Sequence, residues 1–322
     1  MKAIFASLVT GVLVVFAGAA PAQDFPSKPI RIVVPFPPGG GVDVAARLLT
    51  VKMTERLGWQ FVVENRPGGN GFIAATNVAK SPADGYSLFM AHVGEFAINP
   101  ALFPNIPYEL ERDFVPVTLV SDAPMVYFVN SQSPYNTLRD VIAAAKAKPG
   151  AIAYSSAGNG SLNHLAAEWL AQAAGVKLTH VPYKGGAAAA AAVAAGDVPF
   201  GVSSIPGVTP HLKSGRVKVL AVTTGKRSPH QPDWATPAEL GVGEVDASFW
   251  SGLFAPKGTP QAVVERIDQG VRQTLQEPDM RKRYADAGFE AVGASSAEFL
   301  ARIKRDAARF KEVVQSAGIK SE

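Results

Sequence analysis

Ile30-Arg31-Ile32-Val33-Val34-Pro35-Phe36-Pro37-Pro38-Gly39-Gly40-Gly41 is the stretch on which the fold turns. Ile30 to Val34 is apolar and β-branched at all but one position, which suits a buried strand. The proline and glycine run breaks it. Beyond the break, Ala45, Leu49, Met53 and Leu57 repeat at i+4 with Leu48 beside them, predicting a helix that Gly58 closes.

The unit of strand, glycine turn and helix recurs. Phe61-Val62-Val63-Glu64 reads as a strand, Arg66 to Gly71 as a loop, Phe72 to Lys80 as a helix and Tyr86 to Ala91 as a third strand. A proline- and aromatic-rich stretch from Glu95 to Asp113 is less regular. Val115 to Val129 then has a long β pattern, interrupted by Ser121-Asp122-Ala123-Pro124. Helix Leu138–Lys148, strand Ile152–Ser155, loop Ser156–Gly160 and helix Ser161–Ala174 follow. Next come strand Thr179–Val181, helix Ala187–Ala195 and strands Val198–Val202 and Val217–Val222. Gly225 to Gly243 is turn-rich, and Phe249 to Ala255 is extended. In the helical tail, Thr259-Pro260 fits an N-cap followed by proline, and Ser295-x-x-Glu298 fits a capping box.

This alternation predicts an α/β protein with mostly parallel sheets. The two long extended runs bracket the middle of the chain, as two crossing strands between two lobes would. Residues 23–122 and 250–322 are expected to form one lobe and 123–249 the other, with a ligand cleft between them.

Composition narrows the function. The 322 residues include 31 Lys plus Arg, 27 Asp plus Glu, 47% hydrophobic residues and no cysteine, which marks a globular chain without disulfides, thiolate metal sites or cysteine nucleophiles. His92, His164, His180, His211 and His230 show no metal-binding spacing, so neither metal nor cofactor is expected. Lys2, the apolar run Ala3–Ala19 and Ala20-Pro21-Ala22 read as a signal peptide, 1–22, cleaved before Gln23. Its apolar run is shorter than the ~20 residues of a membrane span. The mature chain is expected to be soluble and periplasmic. Without Lys2 it has 30 basic and 27 acidic residues, a net +3, and its one dense basic stretch, Arg281-Lys282-Arg283, reads as a solvated helix face. No nucleic-acid partner is expected, but small anions are favoured.

Two glycine loops, Pro35 to Val42 and Ser155 to Ser161, join a strand to a helix. Glycines admit a ligand close to the backbone, and a first helical turn presents unpaired N–H groups, so each loop suits a carboxylate or phosphate. Pro67 to Gly71 is of the same kind. Neither of the two loops has the Gly-Lys-Ser/Thr of a P-loop or fits G-x-G-x-x-G. Facing each other, they would grip both ends of a dianion. The Ser161 hydroxyl is expected to contact ligand, so that its removal weakens binding with little loss of fold. Catalysis finds little support. Tyr154 stands where G-x-S-x-G needs its first glycine, and Ser161 lacks the second. His164/Glu168 and Asp43/Arg47 read as ordinary i,i+4 surface pairs.

Wider segments carry a resemblance. They are Pro26-Ser27-Lys28-Pro29-Ile30 with Ile32 to Gly40, Val62 to Gly68, Asp84-Gly85-Tyr86, Ile98-Asn99-Pro100, Asp113 to Val117, Tyr154 to Ser161 with His164-Leu165, His180 to Gly185, Leu220 to Thr223 and Gly252 to Pro260. Across essentially the whole mature chain the sequence resembles the Bug-type, or TctC-like, periplasmic solute-binding proteins of tripartite tricarboxylate transporters. The resemblance implies a monomeric two-lobed periplasmic binding protein (type II, a Venus flytrap) and no enzyme. It would capture a small organic anion, a di- or tricarboxylate or an aromatic carboxylate, and pass it to membrane permease subunits. In that pattern Phe36, Pro38, Gly39 and Gly40, and Ser156, Ala157, Asn159, Gly160 and Ser161, hold the carboxylates. The loop after the third strand, His92-Val93-Gly94-Glu95, borders the cleft. Cleft-facing Phe36, Tyr183 and Phe249 leave room for an aromatic ring. Where many relatives carry an acid after strand Val198–Val202, this chain has Ser203-Ser204, which implies a ligand without an α-amino group. The rival readings are a periplasmic α/β hydrolase of carboxylic esters and a ligand-sensing subunit of a signalling system.

Overall fold

The computed structural model describes residues 25–316 together with 318 and 319; the expected signal peptide lies outside them. The chain opens with β1 (Ile30–Val34), α1 (Gly41–Leu57), β2 (Phe61–Asn65), α2 (Phe72–Ala79) and β3 (Ser87–His92). A five-residue π-helical turn, Gly94–Ile98, and the short α3 (Asn99–Leu102) and α4 (Leu110–Asp113) lead to β4 (Phe114–Asn130). Then come α5 (Leu138–Ala147), β5 (Ala153–Ser156), α6 (Leu162–Ala174), β6 (Thr179–Pro182), α7 (Gly186–Ala195), β7 (Phe200–Ser204), α8 (Ile205–Lys213) and β8 (Val217–Val222). The chain closes with β9 (Ser248–Pro256), α9 (Gln261–Leu275), α10 (Pro278–Asp286), β10 (Glu290–Ala294) and α11 (Ser296–Ser316).

β4 organises the sheet. From Phe114 to Pro124 it runs antiparallel to β9, and from Met125 to Val129 antiparallel to β7. β10 also pairs with its first half and β8 with its second. Beyond β9 lie β3, β1 and β2, with β1 parallel to both neighbours; beyond β7 lie β5 and β6, also parallel. The result is a two-lobed α/β architecture in which β4 and β9 cross from one half to the other. Pro124, with no N–H to give, sits where pairing passes from one neighbour to the next, and the Met125 N–H bonds the Thr223 hydroxyl (3.0 Å). Ser121-Asp122-Ala123-Pro124 therefore does not interrupt the strand. Register shifts near Pro116 and Leu119 absorb the irregularity.

Other local expectations shift. Strand β7 begins two residues later than the sequence pattern suggests, and α8, which that pattern did not predict, follows it without a loop. Pro206 is tolerated because the first helical turn has N–H groups without acceptors anyway. Thr259 does not cap α9; its hydroxyl donates to the Pro256 carbonyl, and Pro260 holds the capping position. The capping box at Ser295 and Glu298 forms in both directions. The first half of the sheet packs around Phe89, Phe96, Phe114, Phe254 and Phe299, whose rings meet at 4.4–6.4 Å. Burying each such side chain contributes about 1.5–3 kcal/mol. This rigid packing fixes the strand ends from which the loops of the site leave.

Candidate ligand-binding site

The β1–α1 loop is held from behind. Gly39, at φ +85°, gives its N–H to the Asp43 carboxylate (2.9 Å), which also accepts from Asn65 Nδ2 (2.9 Å) and Arg47 Nε (3.0 Å). Asn65 reaches on to the Phe36 carbonyl at 2.9 Å. Burial works against ionising Asp43, but the bonds from Arg47, Gly39 and Asn65 outweigh it and hold the carboxyl below the usual aspartate range. Asp43 is thus the brace of the glycine loop as well as Arg47's ion-pair partner. Gly41 is confined: a Cβ there would come within 2.9 Å of the Phe249 ring and 3.2 Å of Ser204 Oγ.

The β5–α6 loop is framed by its own hydroxyls and by two histidines, His164 buried and His180 half-buried. Ser161 Oγ donates to the Gly158 carbonyl (2.7 Å) and accepts from the His164 N–H (3.3 Å), making Ser161 the N-cap of α6. Ser156 Oγ, fully buried, is bonded to His180 Nε2 at 2.6 Å. The Gly160 N–H donates to His164 Nδ1 at 3.1 Å. The two imidazoles stack at 3.9 Å and 8°, with the Tyr154 ring 5.1 Å from His180. Burial and the neighbouring His180 push His164 down to about 3, and burial pushes His180 down to about 4, so both are neutral near neutrality, with His164 Nδ1 accepting from Gly160. His164 and Glu168 are not a surface pair: Glu168 accepts from the Tyr154 hydroxyl at 2.6 Å, and His164 faces the loop.

A third wall follows β3. His92 Nδ1 lies 2.6 Å from Glu95 Oε2, which also accepts the His92 N–H at 2.8 Å. Phe36 and Phe249 flank the imidazole at 4.8 and 5.4 Å. Tyr108 donates to the Glu95 carbonyl (2.7 Å), and Asn99 Nδ2 reaches both Tyr108 Oη (2.9 Å) and the Asn70 carbonyl (2.8 Å). Burial and the Glu95 charge raise the Tyr108 phenol far above its ordinary range.

These walls enclose a cavity of about 80 Å3 between the halves of the sheet. Four helices aim their first turns at it: α1 through Gly40, Gly41 and Val42, α6 through Ser161 and Asn163, α7 through Gly185, Gly186 and Ala187, and α8 through Ser204. Among the described residues no aspartate or glutamate lines it, whereas Lys184 and His92 do. A helix terminus contributes about 0.3–1 kcal/mol to a nearby anion and up to ~2 when partly buried. Four of them approach the roughly 8 kcal/mol of micromolar binding only with direct N–H contacts and exclusion of water. The space holds several waters or the heavy atoms of a small acid. A larger recess of about 530 Å3 lies behind the crossing strands. It brings acidic side chains to any ligand, and several of its charges pair with each other, Arg302 with Asp122 and Asp306, and Arg309 with Asp246.

Of the residues singled out from the sequence, Phe36, Pro38, Gly40, Gly94, Ala157, Gly160 and Ser161 line the cavity. Gly39, Val93, Ser156, Asn159, Tyr183 and Ser203 lie outside its lining. Ser203 Oγ turns to the Gly186 carbonyl (3.2 Å), and Ser204, one residue on and on the opposite face of the strand, lines the cavity. His92, from the loop after β3, and Asn70, from the Pro67–Gly71 loop, also line it, as do Asn163 and Lys184 to Ala187, which the local pattern passed over. Tyr183-Lys184-Gly185-Gly186 carried the missed signal, since it too is a glycine turn between a strand and a helix.

The family model described as "Tripartite tricarboxylate transporter family receptor" matches residues 45–319. Protein BugT of Bordetella pertussis is 36% identical over 316 residues, covering 97% of each chain. A structure of an R. palustris protein with adipate is 34% identical at a TM-score of 0.89, covering 92% of this chain and 99% of that one. MatC from Rhodopseudomonas palustris with bound malate is 31% identical at a TM-score of 0.83, covering 90% and 100%. The periplasmic binding protein BugD matches at 34% identity and a TM-score of 0.85, covering 92% and 100%.

Proposed function

The chain belongs to the tripartite tricarboxylate transporter receptor family of periplasmic, non-enzymatic solute-binding proteins, and on that premise we propose that it binds a small organic carboxylate between its lobes. It then delivers the acid to the membrane permease subunits of a tripartite transporter. The observation that carries this reading is the convergence of four helix N-termini on a cavity that, among the described residues, no acidic side chain lines. Backbone N–H groups and the positive ends of helices favour an anion there, and related structures hold adipate and malate.

The lobes in this reading are 23–122 with 250–322 and 123–249, joined where β4 changes partner at Pro124 and Met125. The signal peptide 1–22 delivers the chain to the periplasm. Ligand contacts come from Phe36, Pro38 and Gly40, from Gly94, and from Ala157, Gly160 and Ser161, joined by Asn70, Asn163, Gly186 and Ser204. Among the described residues no carboxylate lines the cavity, which favours an acid without an α-ammonium group.

A thermal-shift screen of mono-, di- and tricarboxylates with matched amino acids tests this. A ligand at 100 times its Kd adds about 2.7 kcal/mol of stability. Plain carboxylates are expected to stabilise and amino acids to do so less. Tighter binding of glutamate or aspartate than of every plain acid would refute the missing ammonium, and no response to any acid would refute the receptor site.

A further inference from the structure

The pairing of His92 with Glu95 has a consequence for the bound acid. Glu95 is fully buried, its Oε1 has no hydrogen-bond partner among the described residues, and Gly71 packs against it so closely that a Cβ there would lie 2.5 Å from Oε1. Its other oxygen holds the His92 backbone N–H and Nδ1. An uncompensated carboxylate in such a place is costly. The charged and titratable groups around it are few. Tyr108 is a neutral phenol, Lys184 sits exposed in the opposite wall, Asp43 is tied to Arg47, and His164 and His180 lie beneath the β5–α6 loop. Phe36 and Phe249 close the two flanks of the imidazole. Among the described residues His92 is the one group in contact with Glu95 able to balance its charge.

A neutral His92–Glu95 pair contains two protons, one in the Nδ1–Oε2 bond and one on Nε2. This count holds whichever atom keeps the shared proton. The His92 side chain is 8% exposed, lines the cavity and has no partner for Nε2 among the described residues. We propose that His92, oriented by Glu95, presents Nε2–H to a carboxylate of the bound acid, so that binding is linked to one proton. This deepens the carboxylate-receptor reading and rests on it. A bound anion favours the protonated pair, and loss of the Nε2 proton would set a lone pair against the carboxylate and leave the buried pair negative. Affinity therefore falls as pH rises, by up to tenfold per unit once the pair has lost its proton.

Long-range 15N NMR of histidine-labelled full-length protein, with and without succinate, reads both ring nitrogens directly. His92 is expected to show a proton on Nε2 near neutral pH, retained to higher pH when succinate is added. A bare Nε2 at pH 6–7 in both samples would overturn the proposal, whether or not succinate binds. Glu95→Gln keeps the shape and removes the charge, so the pH dependence of the succinate thermal shift is expected to flatten. A pH dependence unchanged from the natural protein would also overturn it. Failure of every acid in the carboxylate screen would instead strike the receptor reading, since the NMR measurement on the free protein stands apart from it.

Discussion

The side-chain amide of Asn70 donates to the carbonyl oxygen of Asn159 at 3.0 Å, joining the β2–α2 loop to the β5–α6 loop across the mouth of the cavity. Asn70 holds a left-handed backbone (φ 49°) to do so. In the proposed closure of the lobes this bond would form on closing and be lost on opening, which would favour the closed form. Asn70→Gly, which accepts the same φ without the amide, is expected to raise Kd by about 2–10-fold, the equivalent of one ordinary hydrogen bond. Calorimetric titration with the best acid of the screen checks this, and an unchanged Kd would show that the contact does not contribute.

Gly160 closes the same gap from the other side. At φ +69°, a Cβ on it would lie 2.7 Å from Leu102 Cδ1 and 3.4 Å from Asn70 Nδ2. Gly160→Ala is expected to cost about 1–2 kcal/mol of stability through its backbone conformation and to hold the lobes apart. Small-angle scattering with saturating acid should show a larger radius of gyration than the natural protein, and adding Leu102→Ala should restore part of the closure. Equal radii would refute the clash.

Ser161 carries a different prediction from the one its sequence suggested. Its hydroxyl is committed to the Gly158 carbonyl and the His164 N–H, so its first task is to cap α6. Ser161→Ala is expected to lose about 1 kcal/mol in urea unfolding and to weaken acid binding by loosening the loop. Weakened binding with full stability would return the hydroxyl to the ligand.

Acid should destabilise the protein through its stacked histidines. His164 is pushed down to about 3 and His180 to about 4 in the fold, against about 6.5 unfolded. Between those values the unfolded chain binds more protons, so stability is full above about pH 6.5 and is lost as pH falls towards 4 and then 3. The urea midpoint should drop between pH 7 and pH 4.5, and His180→Gln should make the drop shallower. A midpoint constant over that range would contradict the neutral stack.

Much of this molecule is written locally. Ile30 to Val34, the glycine run after it and the i+4 repeat of α1 give a strand, a turn and a helix from short-range preferences alone. The same holds at Ser155 to Ser161 and in the Ser295–Glu298 box. Local pattern also says which N–H groups are left unpaired, because the first turn of any helix leaves its donors free. That sufficed to point at two of the four helix ends and at an anion.

Direction is another matter, and tertiary structure decided it. Whether Ser203 or Ser204 faces the ligand depends on where β7 begins, and a shift of one residue exchanges the faces of a strand. That His164 serves the loop, while Glu168 serves Tyr154, depends on β5 and β6 lying side by side. The convergence of α7 and α8 on the ends of α1 and α6 depends on the strand order β4-β7-β5-β6, and the burial of Glu95 on Gly71 from a separate loop. The sequence alone determined which backbone groups would be unsatisfied, since hydrogen bonding within a helix is a short-range affair. Only the packed sheet decided where they would point, since strand order and register are set by contacts between residues far apart in the chain.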